Sequence, residues 1–191
     1  KDLIGVTDSV LPANAKISFS GQSKEYYESG SSLEITILFA ILIVYLVLAA
    51  QFESFRKPLA IILTVPIALT AGLYTLFLTG TSINVYSQIG FLMLIGLITK
   101  NGILVVEFAN QLRKQGMSVD EAIFESSLIR LRPVLMTTIS TLLGAVPLVM
   151  SSGAGAESRY SMAIVVLGGI TLSSLVTLYL VPALYRLIEN K

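Results

Sequence analysis

Apolar residues fill five long stretches of this chain, and short polar segments separate them. The stretches run over residues 33–52, 58–78, 85–112, 134–150 and 161–187. An α-helix needs about 20 predominantly apolar residues to cross a bilayer, and the five stretches approach or exceed that length. Buried helices of a soluble core are the alternative for any single stretch, but five within 191 residues disfavour it. The pattern predicts an all-α membrane protein, with a bundle of five transmembrane helices over residues 33–191.

Two segments outside these stretches have patterns of their own. Residues 15–20 alternate between apolar and polar side chains, which predicts a short extramembrane strand within residues 1–32, followed by a connector to the first span. Residues 118–131 predict an amphipathic helix on the membrane surface. Ser118 is its expected N-cap, with Glu121 completing a capping box.

Composition narrows the chemistry. Hydrophobic residues make up 54% of the chain and charged residues 13%, with a mean hydropathy of +0.80, whereas a soluble domain carries about 25% charged residues. The absence of cysteine and histidine excludes disulfides, thiolate catalysis and histidine-based metal or acid–base chemistry. We expect no cofactor and no metal, and the net charge of +1 gives no reason to expect a nucleic-acid partner. Because no secretion signal precedes the first span, we expect a longer polypeptide upstream.

Basic residues are distributed unevenly between the loops. Eight Lys and Arg residues lie in the first loop, the third loop and the C-terminal end, whereas the second and fourth loops together hold one, Arg159. Cytoplasmic loops carry the excess of Lys and Arg. The distribution predicts a cytoplasmic first loop, third loop and C-terminus. It places the N-terminal arm outside the cytoplasm, although that arm holds three lysines.

Prolines predict helix starts and kinks. Pro58 and Pro133 each follow basic residues, and proline is well tolerated in the first turn of a helix. We therefore predict that the second and fourth spans begin there. Pro66 and Pro182 lie inside predicted spans, where kinks are expected.

One charged residue, Lys100, lies near the middle of the third stretch. A lysine at the centre of a bilayer costs about 3 kcal/mol on insertion scales. Glu107 follows seven residues later, about 10 Å along the helix, which is too far for a direct ion pair. The sequence therefore predicts a carboxylate partner on a helix outside this chain. A neutral lysine hydrogen-bonded to Thr or Asn is the alternative.

Hydroxyl groups cluster in the first turns of the fourth span, at Thr137, Thr138, Ser140 and Thr141. A hydroxyl within a membrane helix mostly bonds to its own backbone or packs against a neighbouring helix. Four of them beside the span that carries Lys100 nevertheless predict a polar interior face. Close helix contacts are expected at five glycines, namely Gly96, Gly102, Gly144, Gly168 and Gly169.

Four motifs follow one another along the chain: LPANAKISFSGQSKEYYESG, LAAQFESFRKPLAIILTVP, GLITKNGILVVEFANQLRKQG and RLRPVLMTTISTLLGAVPLVMSSGAGAESR. In order and spacing, this set resembles the resistance–nodulation–division (RND) drug efflux transporters of the hydrophobe/amphiphile branch. The resemblance covers nearly the whole chain and implies the C-terminal membrane half of such a transporter. Residues 1–32 would then be the tail of the periplasmic porter region, and the five spans would be membrane helices eight to twelve.

The resemblance also implies a mechanism. In this family a lysine of the tenth helix faces two aspartates of the fourth helix, and protonation of the aspartates drives transport. Lys100 matches that lysine, with Asn101 beside it. Thr137 matches the relay threonine of the eleventh helix, and Arg130 matches the arginine at its cytoplasmic base.

The implied protein is a proton antiporter in the bacterial inner membrane that exports drugs or other amphiphiles, and it is not an enzyme. Its expected partners are the lipid bilayer and the N-terminal half of the same transporter, with the paired aspartates. A homotrimer, a periplasmic adaptor and an outer-membrane channel are also expected.

Four alternatives stay open on the sequence. An RND relative for protein secretion or lipid transport would share this architecture. A metal exporter would need methionine relays, and the five methionines form no evident chain. An intramembrane enzyme would need a Ser/His dyad or paired aspartates within the membrane, whereas the chain has no histidine and no Asp in any predicted span. A purely structural membrane bundle would leave Lys100 unexplained.

Overall fold

The computed structural model describes residues 32–189 of the chain. It contains helices α1 (Ser32–Phe52), α2 (Lys57–Ile62), α3 (Val65–Thr79), α4 (Val85–Lys114), α5 (Val119–Val149) and α6 (Ala156–Glu189). Helices α2 and α3 together form one span, so this part of the chain has five helical segments long and apolar enough to cross a membrane. The predicted all-α bundle of five spans is confirmed. The strand predicted in residues 1–32 lies outside the described residues.

Capping boxes begin two of the helices. At α4, Asn84 Oδ1 accepts a hydrogen bond from the backbone N–H of Ser87 at 2.8 Å, and Ser87 Oγ accepts one from the backbone N–H of Asn84 at 2.9 Å. At α5, the capping box predicted between Ser118 and Glu121 is confirmed. Each box satisfies two of the backbone N–H groups that a helix start leaves unbonded. The local sequence thus determines where both helices begin.

Proline shapes the second span. Pro58 lies in the first turn of α2, as predicted. Near Pro66 the helix is interrupted, since α2 ends at Ile62 and α3 begins at Val65. Leu63 and Thr64 between them keep right-handed helical dihedrals, and their N–H groups donate to the carbonyls of Leu59 and Ile61. Pro66 has no N–H to donate to the carbonyl of Ile62, four residues earlier, so one regular hydrogen bond is missing there.

The predicted helix start at Pro133 is wrong. Helix α5 runs from Val119 to Val149 and contains Pro133 in its interior. The predicted surface helix 118–131 and the predicted span 134–150 are therefore parts of one continuous helix. A proline removes one backbone hydrogen bond, whereas a full break would leave several backbone groups without partners in an apolar environment.

Helices α4 and α6 pack along each other at the centre of the bundle. Gly169 of α6 approaches α4 so closely that a Cβ added to it would clash with the side chain of Leu94. A Cβ added to Gly168 would lie closer still to the side chain of Thr75 of α3. The close contacts predicted at three of the glycines are confirmed, namely at Gly102, Gly168 and Gly169.

The bundle is open on another side. A Cβ added to Gly96 of α4 or to Gly144 of α5 would have no neighbouring atom within 4 Å among the described residues, so the contacts expected at these two glycines are not made within residues 32–189. Helix α1 lies at the edge of the bundle, where large apolar side chains such as Leu38 and Ile43 are exposed while Leu48 is buried in the core. The described helices are thus closed along α4 and α6 and open along one side of α4 and α5.

Candidate functional site: a recess at Lys100

Lys100 lies at the middle of α4, with 15 residues of the helix before it and 14 after it. Its side chain is exposed, whereas those of Thr99 and Asn101 are buried. Gly96, one turn earlier on the same face of the helix, is also exposed. Lys100 therefore projects from the side of α4 that the packed seam with α6 leaves free.

A small recess adjoins Lys100 between three helices. We call it the Lys100 recess, and its lining residues are Leu97, Lys100, Asn101, Thr137, Thr138, Thr141 and Ile170. Its volume of about 30 Å³ is enough for at least one water molecule. Helix α4 contributes the cation and an amide, α5 contributes three hydroxyls, and α6 contributes an apolar wall.

The hydroxyl groups of the recess differ in their hydrogen bonds. Thr137 Oγ1 donates to the carbonyl of Val134 at 3.0 Å, and Thr141 Oγ1 donates to the carbonyl of Thr137 at 2.8 Å. A hydroxyl that donates in this way keeps lone pairs with which it accepts a further hydrogen bond. Thr138 Oγ1 is buried and has no hydrogen-bond partner among the described residues. The recess therefore presents oxygen acceptors next to the Lys100 ammonium group.

The charge of Lys100 is uncompensated within residues 32–189. No carboxylate of this part of the chain forms an ion pair with it, and the ion pairs that are present lie near helix ends. Glu107, the nearest acidic residue along α4, accepts a hydrogen bond from Gln51 Nε2 of α1 at 3.1 Å. The recess is therefore electropositive, and the oxygen acceptors that line it are neutral.

Arg130 lies outside the Lys100 recess. It precedes Thr137 by seven residues, about two helical turns or 10 Å along α5. Its guanidinium carbon lies 4.6 Å from the centre of the Phe108 ring of α4, within range of a cation–π interaction. Its Nε is buried without a hydrogen-bond partner among the described residues. The structure thus brings Lys100, Asn101 and Thr137 together at the recess. Arg130 instead stacks on Phe108, about two helical turns from Thr137 toward the start of α5.

A second polar cluster lies near one end of the bundle, and we call it the polar clamp. Its members are Lys57, Asn110, Arg113, Tyr185 and Glu189. Asn110 Oδ1 accepts hydrogen bonds from Lys57 Nζ at 2.9 Å and from the Tyr185 hydroxyl at 2.8 Å. Glu189 forms ion pairs with Lys57, at 3.6 Å, and with Arg113. These contacts join α2, α4 and α6, and Tyr185 is fully buried among them.

The polar clamp is not predictable from the local sequence. Lys57 and Arg113 stand out there only as basic loop residues, and nothing in the local pattern marks Tyr185. The available signal is Asn110, a polar residue inside an apolar stretch. Its two donors lie 53 and 75 residues away in the chain, beyond the reach of local periodicity.

No metal-binding arrangement is present in the described helices. Within residues 32–189, no three carboxylate, histidine or cysteine side chains come close enough together to hold an ion. The polar groups of interest in the described helices are those of the Lys100 recess and of the polar clamp.

The profile of the AcrB/AcrD/AcrF family matches residues 5–189, nearly the whole chain. The chain belongs to the AcrB/AcrD/AcrF family. This membership confirms the resemblance to RND transporters that the four motifs carry. With its five apolar helical segments, the chain is a multi-pass membrane protein of a transporter family.

Curated relatives in the AcrB/AcrD/AcrF family share two fifths of their residues with the chain over the matched region. An "uncharacterized transporter" of Haemophilus influenzae is 38% identical over 188 residues, or 95% of the chain. The multidrug resistance proteins MdtC of Erwinia amylovora and Erwinia tasmaniensis are 44% identical over 181 residues and 43% identical over 186 residues, covering 94% and 97% of the chain. The chain spans 18% of the length of each of these relatives.

Proposed function

We propose that this chain is part of a proton-driven efflux transporter and supplies the lysine and threonine side of its proton relay. The observation that carries the proposal is the position of Lys100. It lies at the middle of a span and lines a recess with Asn101 and Thr137, yet has no ion-pair partner in residues 32–189. Because a lone charge at this depth costs several kcal/mol, the protein needs a carboxylate from another helix. The open side of α4 and α5 is where such a helix docks.

The proposed switch is electrostatic. In a low-dielectric bundle, an ionised carboxylate holds the Lys100 ammonium group far more strongly than it does in water. When the carboxylate takes up a proton, this attraction is lost, and the ammonium group turns toward neutral acceptors. Two arrangements that protonation biases in opposite directions constitute a switch.

Asn101 and Thr137 are the proposed neutral acceptors. Both line the same recess as Lys100, and the Thr137 hydroxyl keeps lone pairs free while it donates to Val134. Arg130, about 10 Å from Thr137 toward the start of α5, is proposed to act where the proton leaves the membrane. Its stacking on Phe108 supports a fixed position for the guanidinium group.

The proposed cargo is a drug or another amphiphile. The names of the MdtC relatives support this class of cargo, since they describe multidrug resistance. The loop charges favour an inner-membrane orientation with the polar clamp, the first and third loops and the C-terminus in the cytoplasm. The proposed partners are the rest of the transporter with its paired aspartates, two further copies in a homotrimer, a periplasmic adaptor and an outer-membrane channel. No enzymatic activity is proposed.

The test is dye efflux by cells that express a full-length transporter containing this chain, either as wild type or with Lys100→Ala. We expect Lys100→Ala to abolish efflux at an unchanged level of membrane-inserted protein. Without the ammonium group, the partner carboxylates take up protons more readily, so protonation no longer separates two arrangements.

The matched control is Lys114→Ala at the exposed end of the same helix. It removes the same side chain from α4 without touching the recess, and efflux should stay at the wild-type rate. Wild-type efflux by Lys100→Ala would show that Lys100 is structural and would refute the proposed relay.

A further inference from the structure

The polar clamp lies on the same helix as Lys100 but outside the recess. Lys57, Arg113, Tyr185 and Glu189 lie near the ends of their helices, and two of them, Lys57 and Tyr185, meet at Asn110. Its single amide oxygen accepts from α2 through Lys57 Nζ and from α6 through the Tyr185 hydroxyl. Asn110 is half-buried, and an acceptor with two donors on different helices has a direction fixed by both.

That direction bears on Lys100 because α4 is one continuous helix from Val85 to Lys114. At 100° per residue, Asn110 and Lys100 point about 80° apart around the helix axis. Holding Asn110 toward α2 and α6 therefore holds Lys100 toward the recess and the open side. Apolar packing also restrains α4, with Leu94 against Gly169 and Gly102 against Ile61, and the clamp adds directional hydrogen bonds near the end of the helix.

A small rotation of α4 about its axis displaces the ammonium group of Lys100 by more than an ångström. An ammonium group about 8 Å from the helix axis moves by about 1.4 Å when the helix turns by about 10°. Such a shift is enough to exchange or lose a hydrogen bond, whose useful range is about 2.7–3.2 Å. We infer that the polar clamp sets the rotation of α4, which makes Asn110 and Tyr185 positioning residues for Lys100. This inference rests on the proposed function only where it concerns transport, since the rotation itself is measurable separately.

The experiment measures the recess directly. Position 97 on α4 and position 141 on α5 both line it, and this chain has no cysteine of its own. Leu97→Cys and Thr141→Cys are introduced together into a full-length transporter whose remaining cysteines are replaced. Bifunctional thiol reagents of graded length then report the span between the two positions, and dye efflux is measured in parallel without the cysteine pair.

Three changes at the clamp and one beside it are compared. Asn110→Leu removes the shared acceptor, and we expect cross-linking by the best wild-type reagent to fall about tenfold, with a matching loss of efflux. Asn110→Asp keeps an acceptor for both donors and should retain the wild-type span. Tyr185→Phe removes one hydroxyl with little change of volume, and should give a smaller shift in the same direction even if Asn110→Leu fails to insert. Gln111→Leu, at an exposed neighbouring position, should change nothing.

A packing variant separates positioning from stability. Val181→Ala loosens the apolar cluster that includes Tyr185 without removing a clamp hydrogen bond, and it should lower thermal stability while leaving the span unchanged. A wild-type span in both Asn110→Leu and Tyr185→Phe would overturn the inference, whatever happens to efflux. A shifted span with wild-type efflux would uphold the positioning by the clamp and refute the proposed role of Lys100 in transport.

Discussion

At Asn110, each charged neighbour in the polar clamp has a partner on another helix, whereas ten residues earlier Lys100 has no such partner among the described residues. Both sites lie on α4 and both hold a lysine near an asparagine and hydroxyl groups. The two sites differ in whether the positive charge of the lysine has an acidic partner. Lys57 has an amide and a carboxylate within 3.6 Å, while Lys100 has hydroxyls and an amide around an open recess.

This difference distinguishes a structural cation from a cation whose partner lies on a helix outside the described residues. A buried charge that is already paired stabilises one arrangement, and removing either member leaves the other unsatisfied. A charge without a partner at mid-span is costly unless a missing group neutralises it. Substitutions of Glu189, which leave both hydrogen bonds to Asn110 in place, should therefore lower stability first, and substitutions at the recess should lower transport first.

Among the variants that test this difference between the two sites, the largest fall in efflux is expected for Lys100→Arg. The positive charge is retained, but a planar guanidinium group replaces a compact ammonium group that rotates freely between acceptors. We expect dye efflux to fall by more than about tenfold while the amount of membrane-inserted protein stays unchanged. Lys114→Arg at the exposed end of α4 serves as the matched control. Full efflux with Lys100→Arg would mean that the positive charge alone suffices, and that the hydrogen bonds proposed from Lys100 to Asn101 and Thr137 are not required.

The next effect concerns Thr137. Thr137→Val keeps the shape of the side chain but removes the hydroxyl that accepts from Lys100 in the proposed protonated state. Loss of a hydrogen bond to a charged group costs about 1.5–3 kcal/mol, which predicts a drop in efflux of about tenfold or more. Thr171→Val is the control, because Thr171 also bonds to its own backbone but lies exposed and outside the recess. Equal efflux by the two variants would remove Thr137 from the relay.

Much of this fold follows from the sequence, because its determinants are local. The length of each apolar stretch gives the spans, and the Ser118 capping box marks the start of α5 to the residue. The continuation of α5 through Pro133 does not follow from local rules, since it depends on the surroundings of the whole helix. Small residues are similarly ambiguous, because Gly169 packs against Leu94 while Gly96 faces open space.

The recess was predictable in part for the same reason. Lys100 and the hydroxyls of α5 stand out because polar groups are rare in long apolar stretches, and their type alone points to a shared polar face. The polar clamp was not predictable, because Asn110 meets Lys57 and Tyr185 only after three distant helix ends come together.

A smaller effect is expected at Phe108, which stacks on Arg130 outside both sites. A cation–π interaction at a partly exposed site contributes about 0.5–1 kcal/mol, so Phe108→Leu should reduce efflux about two- to fivefold, provided that Arg130 takes part in proton release. Phe108→Tyr keeps an aromatic face and should stay near wild type. Phe124→Leu, an exposed phenylalanine of α5, controls for the loss of an aromatic ring. If Phe108→Leu matched wild type, the position of Arg130 would not depend on this contact.

The smallest effect is expected for the exposed ion pair between Arg186 Nε and Asp120 Oδ1, which lie 2.7 Å apart. More than half of each side chain is exposed, and such pairs contribute about 0–1 kcal/mol, so Asp120→Asn should leave both efflux and the midpoint of thermal unfolding almost unchanged.

Glu189→Gln is the matched contrast to Asp120→Asn, because the Glu189 side chain is 15% exposed and its carboxylate pairs with both Lys57 and Arg113. That change should cost about 1–3 kcal/mol and lower the midpoint measurably, with near-normal efflux at permissive temperature. Equal thermal shifts for the two variants would mean that burial does not distinguish the clamp from a surface pair, and the contrast drawn along α4 would fail.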